Sequence, residues 1–222
     1  MTKRIIAYVI GLVILGFGSA FAVAGDIGVS PMGAIPFVTY QATPGIEWLT
    51  TGTVSTLMFL VFIALQIIIL RKDYRIIDTI QILFAFLFGF IFDFAIWVLT
   101  HLADWLLYGL TQPWHYMVQF GFLIASIVII GIGLVLLISA KIVPLPPEAL
   151  CLAINKRWEK TKFHVVKMSL DSSLVLIAIA ISLIFIGNLS GIREGTIIAA
   201  LAIGRIIPFV RKVMEPITKR IS

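Results

Sequence analysis

The sequence predicts an all-α polytopic membrane protein of six transmembrane helices, forming two inverted three-helix repeats, each with a broken or re-entrant segment after its first helix. Three observations carry this. Of 222 residues, 60% are hydrophobic and only 13% charged, and the mean hydropathy of +1.10 is too high for a soluble domain. The charges gather in short runs that leave apolar segments of roughly 20 residues, the length that about 30 Å of hydrocarbon demands of a helix. Finally, the chain matches itself, without gaps, when shifted by 115 residues.

The apolar segments run over about 5–24, 51–70, 76–100, 117–140, 166–187 and 195–210. The first follows Lys3 and Arg4 and ends near Ala22-Val23-Ala24, which imitates a secretory signal. Cleavage is not expected, because the run is long for a signal core and has a partner later in the chain. Residues 26–50 are too polar and too broken by Pro31, Pro36 and Pro44 to span, and residues 141–162 are broken by Pro144, Pro146 and Pro147. With a cytoplasmic N-terminus, fifteen of the seventeen basic residues fall in inner segments. Arg193 alone lies outside and Arg205 lies within the last span, so the positive-inside rule holds at every loop. Trp48, Trp97, Trp105, Trp114, Tyr108 and Tyr116 gather at the outer interface. A single multi-pass domain in the cell membrane follows, with both termini cytoplasmic, a first repeat over 1–110 and a second over 116–222.

The shift of 115 superposes Gly16 on Gly131, Gly18 on Gly133, Pro31 on Pro146, Ala34 on Ala149, Ala85 on Ala200 and Gly89 on Gly204. Each half holds an odd number of spans, so the second copy enters from the opposite side, as in many secondary transporters. In that architecture the site lies where helices are broken. Here the breaks are Gly25 to Gly33 and Lys141 to Glu148; Ser30 before Pro31 fits a helix start, with a hydroxyl cap and proline in the first turn. The apolar stretches beyond, 32–40 and 149–154, are too short to span and are either re-entrant or interfacial.

Charged residues inside spans are costly and are functional candidates by default. Asp171 and Arg205 fall at similar depth from the cytoplasmic side and are expected to pair. Asp93, near the outer end of the third span, faces a wet cavity, meets Arg193 or carries a proton. The shift also relates Asp26 to Lys141 and Asp78 to Arg193, one acid and one base on each face, a pattern that suits ion pairs closing an outer and an inner gate. With Glu194 and Thr196 at the start of the last span, the candidate substrate-binding set is Asp26, Ser30, Pro31, Asp93, Pro146, Glu148, Asp171, Arg193, Glu194, Thr196 and Arg205. No cofactor or metal is expected, since Cys151 is the only cysteine and His101, His115 and His164 lack ligand spacing.

Three blocks resemble the YczE/YyaS/YitT family of bacterial integral membrane proteins. They are Gly28-Val29-Ser30-Pro31, Phe88-Gly89-Phe90-Ile91-Phe92-Asp93, and the run from Gly191 through Arg193-Glu194-Gly195-Thr196 to Leu201. The resemblance covers nearly the whole chain and implies a transporter-like protein without an assigned substrate. The chain departs from it where many members look like Gly-Pro-Trp-Asp and Pro-Arg-Asp-Gly: here stand Ser30-Pro31-Met32-Gly33 and Pro146-Pro147-Glu148-Ala149.

The leading expectation is a small-solute secondary transporter or permease working by alternating access around a midplane site between the repeats. Its partners are the lipid bilayer, an unknown small solute or ion and, through glycine-rich helices, a second copy in a homo-oligomer. The alternatives are a membrane scaffold or assembly factor, binding a partner protein through the basic loop 155–162, and a substrate-capturing subunit of a larger importer. No nucleophile, metal or acid–base spacing suggests an enzyme. Basic residues divided among loops do not suggest nucleic-acid binding.

Overall fold

The computed structural model describes residues 2–158 and 163–219, and its regular structure is helical throughout. The long elements are α1 (Thr2–Ala24), α3 (Thr51–Leu70), α4 (Gln81–Leu107), α5 (Trp114–Ala140), α7 (Phe163–Ile181, continued by a π-helical turn at Ser182–Ile186) and α8 (Glu194–Val213). Between them lie two short helices, α2 (Pro31–Ala42) and α6 (Pro146–Arg157), and α9 (Glu215–Thr218) follows α8. Among the described residues, five segments are long and apolar enough to cross a membrane: Thr2–Ala24, Thr51–Asp73, Ile76–Leu107, Trp114–Ala140 and Val165–Ile186. The chain is thus a polytopic membrane protein with five such helices. The expected sixth span is a helix, α8, but Glu194, Arg205, Arg211 and Lys212 keep it outside that set.

α1 and α5 form the centre, and they approach closely because small residues face each other. A Cβ added to Gly18 would stand 2.8 Å from the Ile130 nitrogen, and one on Gly133 would stand 2.8 Å from the Leu15 nitrogen. Between membrane helices, where lipid tails are as apolar as side chains, this backbone proximity supplies the packing energy. α4 lies on α1 and α8 on α5. Phe59, Phe88 and Phe92 pack in series at centroid distances of 5.2 and 5.6 Å, inside a core shared with Tyr8, Leu12 and Leu134.

The two short helices are crossed over: α2, from the first half, packs along α7, and α6, from the second half, packs along α3. Both follow a reversal of the chain. After α1, Asp26 takes a left-handed conformation (φ 50), Gly28 has φ 139, and residues 27–29 run buried against the start of α8. Val29 N–H donates to the Gly191 carbonyl (3.0 Å) and Gly195 N–H to that of Ile27 (3.1 Å). After α5, Lys141 has the same conformation (φ 51). Ser30 (φ −62, ψ 152) and Leu145 (φ −62, ψ 154) then occupy the cap positions of α2 and α6, each followed by proline and a helix of 12 residues. The starts of these helices, Pro31 and Pro146, are 115 residues apart.

Candidate functional site

The beginnings of α2 and α6 meet at a small cavity of about 60 Å³ in the middle of the helix cluster. Ser30, Pro31 and Met32 line it from one side, and Leu145, Pro147 and Glu148 from the other. α1 contributes Leu15 and Ser19, α5 Ile130 and Leu134, α3 Phe59, α4 Phe88, α7 Lys167 and Asp171, and α8 Ile203. Many of these positions are paired at a separation of 115: Leu15 with Ile130, Ser19 with Leu134, Ser30 with Leu145, Met32 with Pro147, and Phe88 with Ile203. Local chemistry sets the helix starts. Ser30 accepts from Gly33 N–H through Oγ (3.3 Å), while the Pro146 carbonyl accepts from Gln66 Nε2 (3.1 Å), whose side chain also pairs both ways with Gln81.

The polar core of the cavity is an ion cluster. Lys167 Nζ lies 3.3 Å from Glu148 Oε1 and 3.2 Å from Asp171 Oδ1, and the three side chains are only 15–20% exposed. A lone buried charge costs several kcal/mol, and the ammonium between two carboxylates offsets much of that. The cluster is not fully satisfied: Glu148 Oε2 is buried without a hydrogen-bond partner, Asp171 Oδ1 has the Lys167 ammonium alone, and the nearby Tyr8 hydroxyl is buried without a partner. A space wide enough for water beside such acceptors can hold water or a ligand group.

A wider groove of about 510 Å³ continues from this cavity, sharing Leu134, Leu145 and Glu148 with it and reaching Arg75 and Lys141 at its far end. On the side where α1 ends, Arg193 Nη1 donates to the Asp26 carbonyl (2.5 Å) and lies 3.5 Å from Asp26 Oδ2, and Tyr116 donates to Glu194 Oε1 (3.4 Å). The related pair on the groove side is not formed: Asp78 is held by Arg75 (2.7 and 3.0 Å).

The expected site residues thus separate into groups. Ser30, Pro31, Glu148 and Asp171 line the cavity, and Pro146 precedes the lining residue Pro147. Asp26 meets Arg193, and Glu194 meets Tyr116, where α1 ends. Thr196 is fully buried beside Gly28, its hydroxyl unpartnered. Two expectations are corrected. Asp171 pairs with Lys167 and not with Arg205, which is exposed on α8 among Ile198, Leu201 and Phe209. Depth was matched but azimuth was not: Arg205 is two residues from the cavity-facing Ile203, about 200° around the helix. Asp93 does not meet Arg193 and is not in this cavity; it borders a separate groove of about 270 Å³ beside α3 and α4, and it accepts from the Thr50 hydroxyl (2.6 Å) and Gly52 N–H (2.7 Å), so closing the open end of α3. Sequence reasoning missed Lys167, which was counted among the topology-setting charges. The available signal was its spacing of four residues from Asp171 on one helix. Of the basic loop 155–162, residues 159–162 lie outside the described residues.

A multi-pass helical membrane protein with a charged internal cavity between two broken elements is therefore the class that fold and site define. The chain belongs to the family of unknown function DUF6198, whose profile matches residues 2–212. No curated protein and no solved structure matches it.

Proposed function

We propose that the protein is a small secondary transporter or permease of the cell membrane, built as two inverted repeats with α8 as the sixth span and both termini cytoplasmic. The observation that carries this reading is the convergence of the α2 and α6 starts on the Glu148–Lys167–Asp171 cluster. Broken helices whose N-terminal ends face a buried ionic cavity are how alternating-access transporters build a midplane site. The pairing of cavity positions at a separation of 115 supports a site on the axis that would relate the repeats. The conformation then corresponds to an inward-facing state. The Asp26–Arg193 contact closes the outer mouth, and the groove towards Arg75 and Lys141 is the open cytoplasmic path. In the outward-facing state Asp78 exchanges Arg75 for Lys141, and the Asp26–Arg193 contact opens.

The test needs no known substrate. In a Cys151→Ser background, Ser19→Cys places a thiol at the cavity, and a membrane-impermeant thiol reagent is added to one side or the other of oriented vesicles. Alternating access predicts labelling from both sides, with outer labelling abolished when Asp26 and Arg193 are replaced by cysteines and cross-linked. Labelling from one side only, whatever the state of the cross-link, overturns the reading in favour of a static scaffold.

A further inference from the structure

We infer that the central cavity takes a small cation, an alkylammonium or a metal cation of similar size, and that Lys167 is its tethered competitor. The inference rests on the transport reading for its biological use but not for its chemistry. The cavity holds two carboxylates against one ammonium, so the cluster carries one net negative charge. Its donors are few. Helix starts usually welcome anions through free N–H groups, but three of the six first-turn positions here are proline: Pro31, Pro146 and Pro147. Gly33 N–H is already committed to Ser30. Only the Met32 and Glu148 amides remain, too few to cradle a phosphate or a carboxylate.

Acceptors, by contrast, are in surplus. Glu148 Oε2 is buried with no donor, and Asp171 Oδ1 has only the ammonium at 3.2 Å. Ser19 and Ser30 are the other polar side chains among the lining residues, in a wall that is otherwise apolar. Tyr8, 1% exposed and unpartnered at its hydroxyl, lies within Coulombic range of Glu148. A volume of about 60 Å³ admits an ion with a few waters or methylammonium. It falls well below the roughly 300 Å³ at which drug-sized ligand pockets begin.

The position of Lys167 gives the mechanism. An ammonium on a flexible four-carbon stem occupies the place between the carboxylates that an incoming cation needs. Being tethered, it competes at an effective concentration of millimolar order or above. A cation arriving along the groove displaces it, and the stem lets the displaced group swing away and then return, so that the empty site carries one net negative charge rather than two. Each cation bound is thus exchanged for an internal charge, and the carrier need not expose bare carboxylates as it turns.

Methylammonium binding to the purified full-length protein in nanodiscs, measured by calorimetry, tests this. Lys167→Met is expected to tighten methylammonium binding by at least about tenfold, and Asp171→Asn to remove it. If Lys167→Met does not fold, Lys167→Met with Glu148→Gln keeps the net charge of the cluster, and the same tightening is expected around Asp171. Unchanged methylammonium affinity in the folded variant overturns the inference. So does binding of chloride or phosphate that requires Lys167. The two readings fail separately. Methylammonium that binds but is not moved into proteoliposomes sinks the transport reading alone, whereas Lys167-dependent anion flux sinks the cation site alone.

Discussion

α3 and α4 are clamped together, while α7 and α8, which occupy the corresponding places 115 residues later, barely touch. Specific residues account for the difference. In the first pair, Gly52 faces Gly89 so closely that an added Cβ would fall on the Gly89 carbonyl. Thr56 donates to the carbonyls of Gly52 (3.0 Å) and Ala85 (3.2 Å), bridging the two helices, and Asp93 holds the start of α3. In the second pair, Lys167 stands at the position of Gly52, Asp171 at that of Thr56, and Pro208 at that of Asp93. Gly204, which corresponds to Gly89, has nothing within 4 Å of where its Cβ would be. One slot is packed shut with small residues, and its counterpart is held open by charged ones. The cavity lies where packing was given up, as expected of a site that departs from the rules of its own scaffold.

The largest effect should come from exchanging size across this comparison. Gly52→Leu must separate α3 from α4 and is expected to cost at least ~3 kcal/mol, enough to prevent recovery of folded protein. Gly204→Leu meets open space and should change stability by under ~1 kcal/mol. Thermal unfolding of both variants in the same detergent decides it, and equal losses would mean that α7 and α8 pack as tightly as α3 and α4.

Next in size is the clamp itself. Asp93→Ala leaves Thr50 and Gly52 N–H without their acceptor, and a charged acceptor lost from two such bonds is expected to cost about 2–3 kcal/mol. Flux or labelling at the central cavity should keep its wild-type pattern in whatever protein folds, because Asp93 is not in that cavity. Loss of activity with full stability would return Asp93 to the list of working residues.

A third substitution sharpens the comparison rather than breaking it. Giving the second half the residues of the first, with Glu148→Gly, Lys167→Gly and Asp171→Thr together, removes the whole ion cluster at once. Replacing a complete buried ionic group with apolar residues of similar volume is close to neutral, whereas removing one member costs roughly 3–5 kcal/mol. The triple variant also adds two helical glycines, at about 1 kcal/mol each, so it is expected to be less stable than the parent but to lose less than Lys167→Met, and to lose cation binding altogether. Lys167→Met should be the less stable of the two. If the triple variant fails to fold while Lys167→Met is stable, the cluster is a structural clamp.

Much of this was legible in the sequence. All six apolar segments are helical, because their length and composition leave no other structure in lipid; five keep within about three residues of their expected limits, whereas α4 begins at Gln81 after a 3-10 turn and runs on to Leu107, beyond the expected end at 100. The start of α2 at Pro31 follows from a serine cap and a proline that can occupy only the first turn. The same offset found from a few glycine and proline matches also relates α2 to α6 residue for residue. Which charges meet was not legible. Periodicity and depth place a residue along a helix, but the partner is chosen by azimuth and by which helices cross. Those depend on α2 and α6 each packing on a long helix of the other half. Asp171 therefore found Lys167 rather than Arg205, and Asp93 found a helix end rather than a charge. The Ser30 cap used a signal local to a few residues; the Gln66 contact with the Pro146 carbonyl, 80 residues away in sequence, had no such signal.

The smallest effect on stability belongs to the Asp26–Arg193 pair, which closes the outer mouth in the proposed cycle, and it tells most about motion. Arg193 and Asp26 are 51% and 68% exposed at their side chains, and the carboxylate contact is long at 3.5 Å. Solvent screening leaves such a pair worth less than ~1 kcal/mol, so Arg193→Gln should hardly move the unfolding temperature. Yet Arg193 also donates to the Asp26 backbone carbonyl, at a residue held in a left-handed turn, and so ties the α1–α2 reversal to the start of α8. Losing that tie should free the outer mouth: labelling of Ser19→Cys from outside should rise in Arg193→Gln, and the inward-facing population should fall. Because the backbone carbonyl survives any change at Asp26, Asp26→Asn should show the weaker form of the same shift. An Asp26→Arg, Arg193→Asp exchange should restore less than full closure, since aspartate cannot donate to that carbonyl. Full restoration by the exchange would mean that the side-chain ion pair alone holds the mouth.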